Sequence, residues 1–281
     1  MKDNENWTLE IHSQKRWLDI NLSEIWQYRD LIRLFVYRDL IAAYKQTILG
    51  PLWFVLGPLL STIIFTVIFG NIAQIPTDNT PPFLFYLSGI IIWTFFASCI
   101  NKTSNTFIDN CGIFGKVYFP RIVVPISVVI TNLFTFLIQF TLFIAFFLYY
   151  YHIGGFSPNF WILLLPLLLI QMAALGLGMG ILISSMTTKY RDLIFLLGFG
   201  VQLWMYATPI VYPLSQIPEK WQWLFALNPM TATVEVFRYS FFGKGAIQPW
   251  MLGISTGMTI IIIITGILIF SHIEKTFMDT V

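Results

Sequence analysis

Residues able to do chemistry are scarce in this sequence and lie far apart. The three histidines, His12, His152 and His272, fall in different segments, so their spacing assembles neither a metal set nor a general acid–base pair. Cys99 and Cys111 are twelve positions apart on what reads as one helix, and they are read as free thiols, because no disulfide framework or metal spacing accompanies them. A phosphate cradle needs Gly-x-x-x-x-Gly-Lys-Ser/Thr, so that backbone amides and a lysine can wrap the phosphates. Neither Gly112-Ile113-Phe114-Gly115-Lys116 nor Gly243-Lys244-Gly245 supplies it. Glu219, Glu235, Arg238 and Lys244 form a loose charged group with no histidine among them. Within it Glu235 and Arg238 stand one helical turn apart and can pair, either as an ion pair on the surface or as a latch on an outer gate. No catalytic residue and no metal ligand is therefore expected.

The elements that would carry these residues are apolar. Residues of the AVILMFWYC set make up 57% of the 281 positions and charged residues 11%, where soluble domains average roughly 25% charged. No charge lies between Arg121 and Lys189, and further charge-free windows separate Lys45 from Asp78, Asp78 from Lys102, Asp192 from Glu219 and Lys244 from Glu274. Crossing the hydrocarbon takes about 20 apolar residues as helix. The windows predict an all-α polytopic membrane protein with six transmembrane helices, at roughly 51–72, 83–100, 122–151, 160–183, 193–212 and 250–270. No ionisable side chain falls deep in any of them, so a proton relay or an ion-coupled mechanism has no groups to use. Any transport must then draw on an outside energy source, for which an ATPase subunit is the natural donor. Met1 to Ile20 lacks the apolar core of a cleavable leader, and span one is expected to direct insertion.

Charge asymmetry sets the orientation. Thirteen basic residues fall on one side, in the N-terminal segment, the loops after spans two and four, and the tail. Only Lys220, Arg238 and Lys244 fall on the other. The bias places both termini in the cytoplasm. The basic residues are spread along loops, so no nucleic-acid partner is expected. Gly176-x-x-x-Gly180 and Gly253-x-x-x-Gly257 allow close helix approach, within the chain or between subunits.

Two segments are not spans. Over residues 21–46, Ile25, Tyr28, Ile32, Phe35 and Val36 follow a helical rhythm with Arg29, Asp30 and Arg33 turned away, which predicts an amphipathic interface helix on the cytoplasmic leaflet. It either anchors insertion or docks a cytoplasmic partner. Between spans five and six, residues 214–248 are too polar and broken to cross. Pro218 can open one short helix there, Asn228-Pro229 a second, and Gly243 and Gly245 end it. The two pieces read as an external re-entrant hairpin, with Met230, Val234, Phe237 and Phe241 as one apolar stripe. The chain thus divides into residues 1–50, a cytoplasmic segment, and 51–281, a transmembrane domain.

Four stretches carry a resemblance. They are Arg38-Asp39-Leu40 with Tyr44-Lys45-Gln46-Thr47-x-Leu49-Gly50-Pro51-Leu52-Trp53; Lys116-Val117-Tyr118-Phe119-Pro120-Arg121; Lys189-Tyr190-Arg191-Asp192-Leu193; and Thr208-Pro209-Ile210-Val211-Tyr212-Pro213 followed by Leu227-Asn228-Pro229-Met230. In this order the chain resembles the membrane permease subunits of type-2 ABC exporters for lipid-linked polysaccharides, in the O-antigen, capsule and teichoic-acid branch. The resemblance implies a homodimer with two copies of a separate ABC ATPase that binds ATP and magnesium. It implies a glycan on undecaprenyl diphosphate as substrate, moved from the cytoplasmic to the periplasmic leaflet. By position it puts ATPase coupling in the loop at about 101–121, on Ile113, Phe114, Lys116, Tyr118, Phe119 and Arg121. It makes the 214–248 hairpin a periplasmic gate, with Trp221, Asn228, Pro229, Glu235 and Arg238. Aromatic residues are 17% of the chain, and rings can stack on sugar faces. Trp93, Phe95, Phe96, Trp204 and Tyr206 are thus candidates to line a path, or else they pack against lipid and neighbouring helices. Arg38, Lys45 and Arg121 are candidates for a diphosphate entrance, or else they answer anionic lipid. The alternatives to glycan export are a type-2 exporter of small molecules and a membrane enzyme acting on lipid-linked sugars.

Overall fold

Proline, glycine and asparagine punctuate the apolar runs, and helices fill the intervals. The computed structural model describes residues 22–45, 47–154, 158–187, 190, 192–245 and 248–280. Among them the chain forms eleven α-helices and no strand. They are α1 (Leu22–Gln27), α2 (Arg29–Tyr44), α3 (Trp53–Phe65), α4 (Pro82–Thr103), α5 (Thr106–Phe114), α6 (Val123–Ile153), α7 (Leu165–Thr187), α8 (Leu193–Tyr206), α9 (Glu219–Ala226), α10 (Pro229–Phe242) and α11 (Pro249–Thr280). Residues 1–21, Gln46, Lys189 and Arg191 carry part of the charge bias and of two of the four stretches; they lie outside the described residues.

Five segments are long and apolar enough to cross a membrane: Gly50–Ile72, Pro82–Thr103, Val123–Ile153, Phe160–Thr187 and Pro249–Ile273. The expected fifth span departs from its predicted limits. Its helix stops at Tyr206 rather than 212 and has 14 residues, about 21 Å at 1.5 Å per residue, against the ~30 Å of a hydrocarbon core. Pro209 is the cause, because the residue before a proline is pushed out of helical geometry. A second departure falls between the cysteines. The continuous helix expected across them breaks at Ser104 and Asn105, where the Ser104 and Thr106 hydroxyls donate back to the Asn101 and Thr103 carbonyls. Cys99 is buried on α4 and Cys111 exposed on α5, and both are free thiols.

Helix α4 is the pillar of the bundle. Its apolar window is 78% buried by neighbours, against 11% for the first span. Helices α3, α6 and α7 pack around it. The α4–α7 seam is close because Gly176 and Gly180 have no Cβ; one would stand 2.7 Å from Cys99 Cβ and 2.5 Å from Thr103 Cβ respectively. This pair therefore serves packing within the chain. Gly253 and Gly257 have open space instead.

Helix α3 contains Pro58, which has no N–H to offer the carbonyl of Phe54. Gln139, buried on α6, donates its Nε2 to that carbonyl at 3.0 Å. An amide inside an apolar helix thereby closes the gap that a proline opens in its neighbour.

At one end of the bundle α2 lies against α6. Phe35 and Val36 are buried there, while Arg29, Asp30 and Arg33 are exposed. At the opposite end Asn228 caps α10, accepting the Met230 N–H, and Gly243 ends it with φ 66°. The stripe expected on this helix is wider than the sequence suggests: Met230, Val234, Phe237 and Phe241 are buried, and so is nearly every other α10 residue. Helix α10 is an internal helix and not a surface one.

Candidate functional site

Helix α10 points Glu235 and Arg238 into the interior. Arg238 is 3% exposed and Glu235 5%, which removes the reading of a surface ion pair. The Arg238 guanidinium donates to the carbonyls of Pro209, Ile210 and Phe85 and to the Ser88 hydroxyl. It also lies over the Phe85 ring, 3.6 Å from its centroid. Gly89 makes the space, because a Cβ there would come 2.9 Å from Arg238 Nη2. One side chain thus ties α10, α4 and the turn after α8 together. Glu235 Oε1 stands 3.8 Å from Arg238 Nη1 and makes no hydrogen bond. The carboxylate takes the Leu214 N–H, and burial pushes it up to about 7 from an ordinary 4.5. Burial likewise lowers Arg238, to about 10.

The loop between α3 and α4 closes over this pair. Asp78, Thr80 and Lys244 line a small cavity with Glu235 and Arg238. Asp78 accepts from Ser215 at 2.7 Å, and Lys244 Nζ donates to the Asn79 carbonyl at 2.8 Å. Gln74, Asp78 and Asn79 all hold positive φ, a conformation that costs energy in residues with a Cβ. Asn228 does more than cap. Its Oδ1 also accepts Trp204 Nε1 at 3.1 Å, and its Nδ2 donates to Thr208 Oγ1 at 2.8 Å. The start of α10 is thereby fastened to the end of α8. Pro229 is buried at the first turn, whereas Trp221 on α9 is exposed and stays outside the cluster.

The expected aromatic path residues divide. Trp93, Phe96 and Trp204 form one edge-to-face cluster, with centroids 5.2 to 6.1 Å apart. Phe95 turns the other way, onto Phe136 of α6. Tyr206 is exposed at the end of α8. Trp93, Phe95 and Phe96 are core residues of this chain.

At the other end the coupling candidates gather around an aromatic plug. Phe35, Phe107, Phe114, Phe119 and Phe270 are buried together, with Ile113 packed against them. Arg121 lies over the Phe114 ring at 5.6 Å and Arg38 over the Phe35 ring at 4.8 Å. Arg38 also pairs with Asp39 at 2.8 Å. Lys116 and Tyr118 are exposed on the loop between α5 and α6. Of the three entrance candidates, Arg38 and Arg121 flank the plug, while Lys45 is exposed at the end of α2. Among the described residues no three metal-ligating side chains cluster. One contact escaped the sequence reading: Lys102 Nζ donates to the buried Asn132 of α6 at 3.0 Å. Its signal was an asparagine inside a charge-free window.

A family model described as ABC-2 type transporter matches residues 30–242. The O-antigen export system permease protein RfbA of Klebsiella pneumoniae is 31% identical over 237 residues, 84% of this chain and 89% of that protein. The protein of the same name from Myxococcus xanthus is 28% identical over 203 residues, 72% of this chain and 76% of that protein.

Proposed function

This chain belongs to the ABC-2 type transporter family, and on that premise we propose that it is the permease subunit of an ATP-driven exporter of O-antigen-like polysaccharide. The observation that carries the reading is a 31% identity, over 84% of the chain, to a protein named as an O-antigen export permease. In this reading two copies of the chain pair in the inner membrane, each with an ABC ATPase on the cytoplasmic face that holds ATP and magnesium. The substrate is a glycan on undecaprenyl diphosphate, carried to the periplasmic leaflet. Helix α8 and the turn after it make the fifth of six crossings, and both termini stay in the cytoplasm. Helices α9 and α10 form the periplasmic gate, locked by Arg238, and α2 with the loop after α5 receives the ATPase.

Physical sense supports the assignment. Arg238, in the buried pair with Glu235, is tied into α4 and the turn after α8, which is a structural role. Energy must come from a partner. The test is the glycan profile of a strain that lacks the chain. Undecaprenyl-linked polymer trapped inside the cell, with none at the surface, is the expected result. Intact surface glycan in cells sensitised to apolar compounds would identify a small-molecule exporter instead.

A further inference from the structure

The pillar helix α4 is covered on almost every side, and the face left open is small and polar. Its incompletely buried positions beyond the outer end are Thr94, Ala97, Ser98, Asn101 and Lys102, and the same line continues to Asn105. Thr94, Ser98 and Asn101 are spaced four and three residues apart, which puts them on one side of α4, and Asn105 follows at the break between α4 and α5. They are small or polar throughout. The open faces of the other spanning helices carry large apolar residues, such as Leu60, Ile64 and Ile68 from span one and Ile260, Ile261 and Ile264 on α11, with only scattered small or polar residues such as Thr141 and Thr265 among them. Those faces suit lipid. A line of hydroxyl, amide and ammonium groups does not, because lipid offers them no hydrogen bonds.

The lower end of this seam holds unmet polar groups. Lys102 Nζ rests on Asn132 Oδ1 at 3.0 Å. Asn132 is 3% exposed, and its Nδ2 has no hydrogen-bond partner; Asn105 Oδ1 is likewise buried without one. The aromatic residues expected to line a path, Trp93, Phe95 and Phe96, point off the seam into the core.

We propose that the Thr94–Ser98–Asn101 seam of α4, continued by Asn105 at the break before α5, forms the cytoplasmic half of the cargo path, with Lys102 and Asn132 taking a phosphate group of the carrier at its mouth. The assignment rests on the proposed glycan export. Hydroxyl-rich sugar needs exchangeable donors and acceptors, which Thr94, Ser98 and Asn101 provide without a fixed pattern. The diphosphate needs a cation and N–H donors, which the Lys102 ammonium and the Asn132 amide provide. The aromatic side of the same helix then does a different job, holding α4 against α8 through Trp204.

The test uses the full chain with its partner in native membranes. Cys111, exposed on α5, is first replaced by serine, and that parent is checked for glycan export. Buried Cys99 stays as an internal control. Cysteine is then placed singly at Ser98, Asn101 and, as a lipid-facing reference, Leu60, and inside-out vesicles are treated with a charged methanethiosulfonate. The S98C and N101C thiols are expected to react at least ~10-fold faster than L60C, because only a water-facing thiol ionises readily. Reaction of N101C should slow in vesicles from cells that accumulate the lipid-linked glycan. Lys102→Gln should lower export by roughly tenfold, the worth of one charge-assisted contact, and Lys102→Arg should restore most of it. Reactivity at Ser98 and Asn101 no greater than at Leu60, in a parent that exports normally, would overturn the seam alone. Loss of no glycan export on deleting the chain would overturn the functional reading beneath it.

Discussion

Asn228 is the residue that fastens the start of α10 to the end of α8. It caps α10 through the Met230 N–H, accepts Trp204 Nε1 and donates to Thr208 and Ala207. Asn228→Ala removes a cap worth about 1 kcal/mol and strands the indole N–H, for a further 1–3 kcal/mol or so. Asn228→Asp keeps the acceptor and loses only the donors. Melting temperatures in detergent should therefore fall in the order native, Asp, Ala; an Ala variant as stable as the native chain would refute these roles. Glu235 gives a pH signature. Its carboxyl is raised from 4.5 to about 7 by burial, so the folded chain binds a proton that the unfolded chain has released. That contribution is fully present below pH 4.5 and is lost as pH rises through about 7. Glu235→Gln should flatten the decline across this window, and parallel melting curves for the two proteins would contradict the assignment. Arg238→Met should cost far more, on the order of 3–5 kcal/mol, because it leaves a buried carboxylate without its partner.

At the scale of elements, glycines separate two kinds of helix face. A Cβ on Gly178 would stand 2.8 Å from Ile263 Cα, a backbone atom that cannot step aside. Gly178→Ala should therefore destabilise the chain by about 1–3 kcal/mol. Gly257→Ala meets nothing within 4 Å and should gain up to ~1 kcal/mol of helix propensity. Thermal melting in detergent distinguishes the two, and equal shifts would show that the α7–α11 crossing is not set by Gly178. The sequence showed much at this scale. The charge-free windows located five segments long and apolar enough to cross a membrane, and Asn228-Pro229 and Gly243 marked both ends of α10, because caps are local chemistry. It did not show where α8 stops, since Ile210-Val211-Tyr212 continues the apolar run beyond the proline that ends the helix. Nor could spacing tell that Glu235 and Arg238 are buried, because their surroundings come from Phe85, Gly89 and Ile210, remote in the chain. Helix α4 hid its faces for a different reason: an almost wholly enclosed helix is apolar nearly all round, and the few polar residues that mark its open side are easily read as small fillers.

For the whole molecule, the proposed export raises the question of how work done by an ATPase would reach the cargo. The aromatic plug joins four elements: Phe35 from α2, Phe107 and Phe114 from α5, Phe119 from the loop before α6, and Phe270 from α11. Phe107 stacks on Phe270 with centroids 4.8 Å apart. In the proposed exporter, a push on the exposed loop at Lys116 and Tyr118 would pass through these rings to α2 and to α11. Close-packed interiors deform little, so such a plug moves as a unit. Reversing the charges, Lys116→Glu together with Arg121→Glu, changes the face offered to an ATPase and takes the Arg121 guanidinium off the Phe114 ring, but deletes none of the buried rings. Membrane insertion should be unaffected, ATP hydrolysis by the partner should continue, and glycan export should fall. Phe119→Ala should instead loosen the plug, at about 3–5 kcal/mol, and lower both stability and export. Normal export by the charge-reversed protein would take Lys116 and Arg121 out of the coupling surface, and the plug would then have to be driven through α2 alone.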